Sequence, residues 1–189
     1  MLASRRRAAA GRLPAGRRSG TGARAGMDRF VSTFMNRIDA KGRVSIPAPF
    51  RAVLARDGFE GLYVHPALDR PALDAGGNLL LGEIDAVLAT LPPYSDARDQ
   101  LSTALFGTSE VLKVDGEGRV GLTETVKSHA EITDSVVFVG LGHKFQLWEP
   151  ARFRSHLDAA RAQVRELTRS LGGRQPVVAV ESPPGARGS

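Results

Sequence analysis

Apolar and polar positions alternate most clearly on either side of one short turn. Phe34 and Ile38 are set among polar residues before it, and Val44 and Ile46 follow the same rule after it. This is the two-residue period of strands that bury one face. Between them lies Asp39-Ala40-Lys41-Gly42. An aspartate there accepts hydrogen bonds from backbone two residues on, and a glycine supplies the positive φ that closes the bend. The pattern therefore predicts a β-hairpin. Further strands are predicted at residues 62–65, 136–139 and 145–148, the last two joined by Gly140-Leu141-Gly142-His143. Helical spacing of Leu81, Ile84, Leu88 and Leu91 follows Gly76-Gly77-Asn78 and stops at Pro92-Pro93. Ser95 is placed to cap a second helix that carries Leu101 and Leu105 and ends at Gly107. A last helix spans about residues 151–171, with Phe153, Leu157, Val164, Leu167 and Leu171 on one face. Its arginines Arg154, Arg161, Arg165 and Arg169 lie largely elsewhere, and Gly172-Gly173 ends it.

The hairpin occurs twice. Residues 38–46 (IDAKGRVSI) match residues 114–122 (VDGEGRVGL) at an offset of 76 residues, with Asp, Gly and Arg in identical places. Such agreement points to duplication. One hairpin cannot bury enough apolar surface to stand alone, whereas two copies packed about a pseudo-two-fold axis can. Duplication also puts Arg43 and Arg119 in equivalent positions, each directly after the turn glycine, Gly42 or Gly118. The expected fold class is mainly β with peripheral helices, a small barrel built from two internal repeats. The expected division is 27–103 for the first repeat (hairpin core about 34–80) and 104–171 for the second (core about 108–151).

Composition narrows the chemistry. The chain has 189 residues, 42% of them hydrophobic and 24% charged, and no cysteine, which excludes disulfides, a thiol nucleophile and thiolate metal sites. No apolar run approaches the ~20 residues needed to cross a bilayer. The net charge of +6 suggests a nucleic-acid partner until its distribution is considered. Residues 1–26 hold seven arginines and no acid, so residues 27–189 carry 19 basic against 20 acidic residues, a net of −1. Residues 1–26 are expected to be a disordered leader, with translation beginning at Met27, and residues 172–189 a flexible tail. Enzyme signatures are weak. Residues 116–121 formally match G-x-G-x-x-G but join two strands, where a dinucleotide site needs strand then helix. His65, His129, His143 and His156 form no ligand pattern. A non-enzyme without cofactor or metal is expected.

The two hairpins, the first within RIDAKGRVSIPAPFR, and the late stretch VFVGLGHKFQLWEPARF closely resemble the MraZ family of bacterial transcriptional regulators. That family belongs to the swapped-hairpin superfamily that also holds AbrB and SpoVT. The resemblance covers residues 27 to about 171. It implies a double-split β-barrel of two swapped hairpins, assembly into closed rings, and binding to short tandem repeats upstream of the division and cell-wall gene cluster. It further implies repression of that cluster, usually including the protein's own gene, at the nucleoid in the cytoplasm. The family's Asp-x-x-x-Arg signature falls here on Asp39 with Arg43 and Asp115 with Arg119.

The copies differ. Ser45-Ile46-Pro47 becomes Gly121-Leu122-Thr123, and Lys41 becomes Glu117. Between residues 29 and 56 six cations face one acid, a net of +5, whereas residues 110–130 have three cations and four acids. The first half is thus expected to supply most phosphate contacts. The candidate DNA-binding residues are Arg43, Arg119, Lys41, Arg37 and Arg51, with Asp39, Gly42, Asp115 and Gly118 forming the turns. Arginine's planar fork suits a phosphate or the guanine edge, and a two-stranded ribbon fits the major groove. The competing readings are turn arginines that are merely solvated or that pair with a neighbouring Asp, an antitoxin of the AbrB kind whose last helix holds a toxin, and a structural ring with no nucleic-acid role.

Overall fold

A computed structural model describes residues 29–172, so the leader and most of the tail lie outside the described residues. Eight strands are present: β1 Thr33–Arg37, β2 Arg43–Ser45, β3 Leu62–Pro66, β4 Leu73–Gly76, β5 Glu110–Leu112, β6 Arg119–Gly121, β7 Ser135–Gly140 and β8 Phe145–Trp148. The helices are α1 Ala48–Asp57, α2 Asn78–Ala89, α3 Asp96–Ser102, α4 Glu124–Ala130 and α5 Pro150–Gly172, with a π-turn at Thr103–Gly107 continuing α3. An antiparallel six-stranded sheet runs β1-β7-β8-β4-β3-β5, and β2 with β6 forms a separate two-stranded ribbon. No closed barrel is formed among the described residues. No described helix is long and apolar enough to cross a membrane.

The predicted hairpins close only at their tips. Ile38 bridges Val44 and Val114 bridges Val120, and then each pair of strands parts. β1 goes to β7 and β5 to β3, while β2 and β6 pair with each other. The ribbon is reciprocal: Val44 pairs with Val120, Arg43 with Gly121, and Ser45 with Arg119. Ile46 N donates to Gly118 O at 2.9 Å, and Leu122 N donates to Gly42 O at 3.2 Å. Where the strands part, Val44 and Val120, both fully buried, pair with each other across the two copies.

Both faces of the inner strands β7, β8, β4 and β3 are covered, and alternation along the strands assigns the sides. Leu62, Val64, Leu73, Ala75, Val136, Phe138, Phe145 and Leu147 point into the main core, where they meet the ribbon, α1 and α4. The rings of Phe30, Phe34 and Phe145 lie 5.3, 5.4 and 5.0 Å from that of Phe50. On the opposite face Tyr63 packs under α2 and the π-turn, and Trp148 packs against Phe153 at the start of α5.

Several elements depart from the expectation. α1 and α4 begin at equivalent points, Ala48 and Glu124, directly after the ribbon strands, although the pattern predicted no helix there. Each buries only two or three residues, Phe50, Val53 and Leu54 in α1 and Val126 and Ala130 in α4, too few for a helical period to stand out. β4 occupies an inner position of the sheet although its sequence LDAG is poor in strand formers. The buried face of α2 is Leu80, Ile84 and Leu88, with Leu81 partly buried at its edge. Ser95 does cap α3, accepting from Arg98 N at 3.3 Å. Only the beginning of α5 packs on its own chain, and Val164 and Leu167 are 61% and 58% exposed.

Phe50 joins α1 to the centre of the core. Replacing Phe50 by Ala should cost about 3–5 kcal/mol of stability, read as a lower urea midpoint, whereas Met35→Ala on the exposed side of β1 should leave the midpoint nearly unchanged.

Candidate nucleic-acid interface

Each turn is organised around its aspartate. Asp39 Oδ1 accepts from the backbone N–H of Lys41 and of Arg43, both at 2.9 Å. Its other oxygen accepts Arg43 Nε at 3.0 Å and pairs with Nη2 at 2.8 Å. Gly42, at φ 74°, returns its N–H to Asp39 O at 2.9 Å. The second turn repeats this. Asp115 Oδ1 accepts from Glu117 N at 3.0 Å and Arg119 N at 2.9 Å, Oδ2 accepts Arg119 Nε at 2.9 Å, and Gly118 has φ 76°. One carboxylate therefore shapes the bend and aims the arginine that follows it.

These bonds favour the ionised acid. The backbone N–H of Arg43, then its guanidinium, lowers the Asp39 carboxyl from 3.8 to about 2. The backbone N–H of Arg119 lowers Asp115 as well, and the Asp115 carboxylate raises Arg119.

The ribbon puts both arginines on one face. Val44 and Val120 point inward, so Arg43, Ser45, Arg119 and Gly121 point outward, with the arginine side chains 30% and 26% exposed. The copies nonetheless differ in what their arginines are free to do. Arg43 engages Asp39 along its Nε–Nη2 edge, and its Nη1 lies 3.6 Å from Asp115 of the other turn. Arg119 is held by Asp115 at Nε and by Glu117 at Nη1, the latter at 2.8 Å. Its outer edge is thus occupied by an acid of its own turn.

The remaining predicted residues fall into two groups. Lys41 and Arg37 are exposed, near the first tip and at the end of β1. Arg51 instead reaches across the axis, its Nη1 3.3 Å from the carbonyl oxygens of Ile46 and Glu117. A side chain at Gly118 would run into it, a Cβ there falling 2.2 Å from Arg51 Cδ. Arg51 therefore clamps α1 to the second turn. The equivalent of Arg51 in the second copy, Lys127, pairs with Glu124 at 2.6 Å, and a Cβ at Gly42 would meet no atom within 4 Å. Asn36 escaped the sequence reading. Its amide donates to Ser45 O at 2.7 Å and ties β1 to the ribbon; a lone Asn on a strand carries no signal of that role. Among the described residues no cluster of potential metal ligands occurs.

Comparison with known proteins identifies the family. Over 148 residues the chain is 64% identical to "Transcriptional regulator MraZ" of Xanthobacter autotrophicus, covering 78% of this chain and 94% of that protein. The chain belongs to the MraZ family. The protein of the same name from Methylocella silvestris is 64% identical over 158 residues, 84% of this chain and 95% of that one. A more distant MraZ, from Rickettsia bellii, is 40% identical over 141 residues, 74% of this chain and 94% of that one. The family model described as "MraZ protein, putative antitoxin-like" matches residues 105–172, the second copy and the last helix.

Because the folded-state value of Asp39 lies below its ordinary one, its contribution to stability is complete above about pH 4 and is lost as the pH falls toward about 2. An NMR titration of the side-chain carboxyl carbons should place the Asp39 midpoint near 2. A midpoint at 3.8 or above would show that the brace does not form in solution.

Proposed function

We propose that the chain is a sequence-specific DNA-binding transcriptional regulator that represses the division and cell-wall gene cluster, its own gene included, by binding short tandem repeats upstream. The observation that carries this reading is the pair of Asp-braced arginines on the single outward face of the β2–β6 ribbon. Bracing one edge of a guanidinium removes much of the side-chain entropy lost on binding and leaves the opposite edge to face the O6 and N7 of a guanine. Arg43 meets only Asp115 there, at 3.6 Å, against the 2.8 Å hold of Glu117 on Arg119, so it is the principal reader. Arg119, with Glu117 on its outer edge, serves as the secondary one. Lys41 and Arg37 supply phosphate contacts beside the first turn, and Arg51 positions the second. The names of the relatives support the regulatory role.

The parting of β1 from β2 and of β5 from β6 supports reading the fold as the swapped-hairpin kind, the double-split barrel in which the ribbon packs across the open sheet. One protomer offers few phosphate contacts, so useful affinity requires several copies on several repeats. A closed ring meets that requirement when subunit and repeat spacings match. Such a protein acts in the cytoplasm at the nucleoid. The antitoxin-like reading finds support in the family description and in the exposed Val164 and Leu167 of α5. It requires a toxin bound to that helix.

Gel-shift titrations on the DNA upstream of the gene should show shifted bands that scrambled DNA does not give at moderate salt. Arg43→Ala should weaken specific binding about 10- to 100-fold, more than Arg119→Ala does. Lys41→Ala should weaken all sequences alike and lower the salt slope by about 0.9. Equal affinity for scrambled DNA would remove the case for specificity.

A further inference from the structure

The face of the sheet turned away from the main core carries a row of buried polar groups where aliphatic side chains would pack at lower cost. His65, Asp74 and Gln146 are neighbours on β3, β4 and β8 and are 2%, 6% and 4% exposed. Asp74 Oδ1 accepts Gln146 Nε2 at 2.8 Å, Asp74 Oδ2 accepts Lys144 Nζ at 2.6 Å, and Gln146 Oε1 accepts Trp148 Nε1 at 3.0 Å. A buried ion pair adds little to stability over a hydrophobic replacement, so its presence calls for another reason. None of these groups belongs to the ribbon and its turns.

Beside the row lies a cavity of about 360 Å³. Its floor includes His65, Asp74 and Lys144, and its apolar wall is Leu80 and Ile84 of α2 with Leu105 of the π-turn. Tyr63 holds that π-turn in place by donating its hydroxyl to Leu105 O at 2.7 Å, and π-distortions of helices often mark binding sites. The size and the mixture of apolar wall and few polar groups suit a small organic molecule.

The head group follows from the open valences. His65 Nδ1 lies 2.9 Å from Pro66 O, which fixes the proton on Nδ1 and leaves Nε2 as an acceptor. Burial lowers the imidazole's pKa and keeps it neutral. Nε2 sits 3.9 Å from Asp74 Oδ2, too far for a mutual hydrogen bond. A single donor placed about 2.8–3.0 Å from each oxygen or nitrogen would bridge the two acceptors. Of the acids in the cavity lining, Asp74 is paired with Lys144 and Asp69 with Arg70, which leaves the charge of Glu83 to favour a cation. We propose that this cavity is a binding site for a small primary amine with an apolar body, its ammonium bridging His65 Nε2 and Asp74 Oδ2 and its hydrocarbon lying against Leu80, Ile84 and Leu105. The site is independent of DNA binding, so each proposal can fail alone.

The test titrates the full-length protein with octylamine, octanol and octanoate while following the Trp148 indole and His65 ring signals by NMR. Octylamine should give saturable shifts with an affinity at least about tenfold, or 1.4 kcal/mol, above that of octanoate. Val87→Trp, at an exposed position on the cavity rim, should keep the fold by circular dichroism and abolish those shifts. Saturation by octanoate equal to that by octylamine would overturn the proposal. So would octylamine binding undiminished in Val87→Trp, or no saturable shift with any of the three, the case in which water alone bridges the acceptors.

Discussion

Val44 and Val120 face each other at the middle of the β2–β6 ribbon, both fully buried, with the pseudo-two-fold axis passing between them. Their burial decides which way every neighbour points. In a strand the residues on either side of an inward one must face outward, so Arg43 and Arg119 are committed to solvent by two valines. The turn aspartates then refine direction into aim. Neither element suffices alone. A braced arginine on a free hairpin would wander with it, and an unbraced arginine on a fixed ribbon would sample many rotamers.

The symmetry holds in the backbone and breaks in the charges. Reciprocal hydrogen bonds relate Ile46 with Gly118 to Leu122 with Gly42, and α1 and α4 start at matching points. Yet Arg51 lies over Gly118 while Lys127 turns to Glu124, and Glu117 occupies the position that Lys41 fills in the other copy. The duplicated scaffold thus carries one turn rich in cations and one whose arginine is held at its outer edge by Glu117. A surface of that kind has a direction.

The two faces of the large sheet carry different chemistry. Toward the ribbon its inner strands are wholly apolar, with phenylalanine rings stacked edge to face around Phe50 and polar groups only on the outer strands, at Asn36 and Glu110. Away from the ribbon the alternate residues of the same strands include His65, Asp74 and Gln146. Asp74 and Gln146 bond each other, Lys144 and Trp148, and His65 reaches Pro66 O through Nδ1, so the sheet tolerates them, and β4 can be an inner strand despite its aspartate and glycine.

Much of the turn geometry was legible in the residue order because its bonds are local. Asp39 reaches only to Lys41 and Arg43, four positions at most, and the positive φ of Gly42 and Gly118 follows from the same short motif. The strands at 62–65, 136–139 and 145–148 were visible for a similar reason, being apolar runs bounded by turn residues. α1 and α4 were not, since helices that bury so few residues leave no period to read, and β4 was hidden by residues that suit a strand only when Lys144 and Gln146 stand beside them. The exchange of partners between the hairpins, the Arg51 clamp across 66 residues and the capture of Arg119 by Glu117 arise once the chain is packed. A local pattern can name the bend and its arginine. Which surface that arginine shares, and which acid reaches it first, depends on distances that exist only after folding.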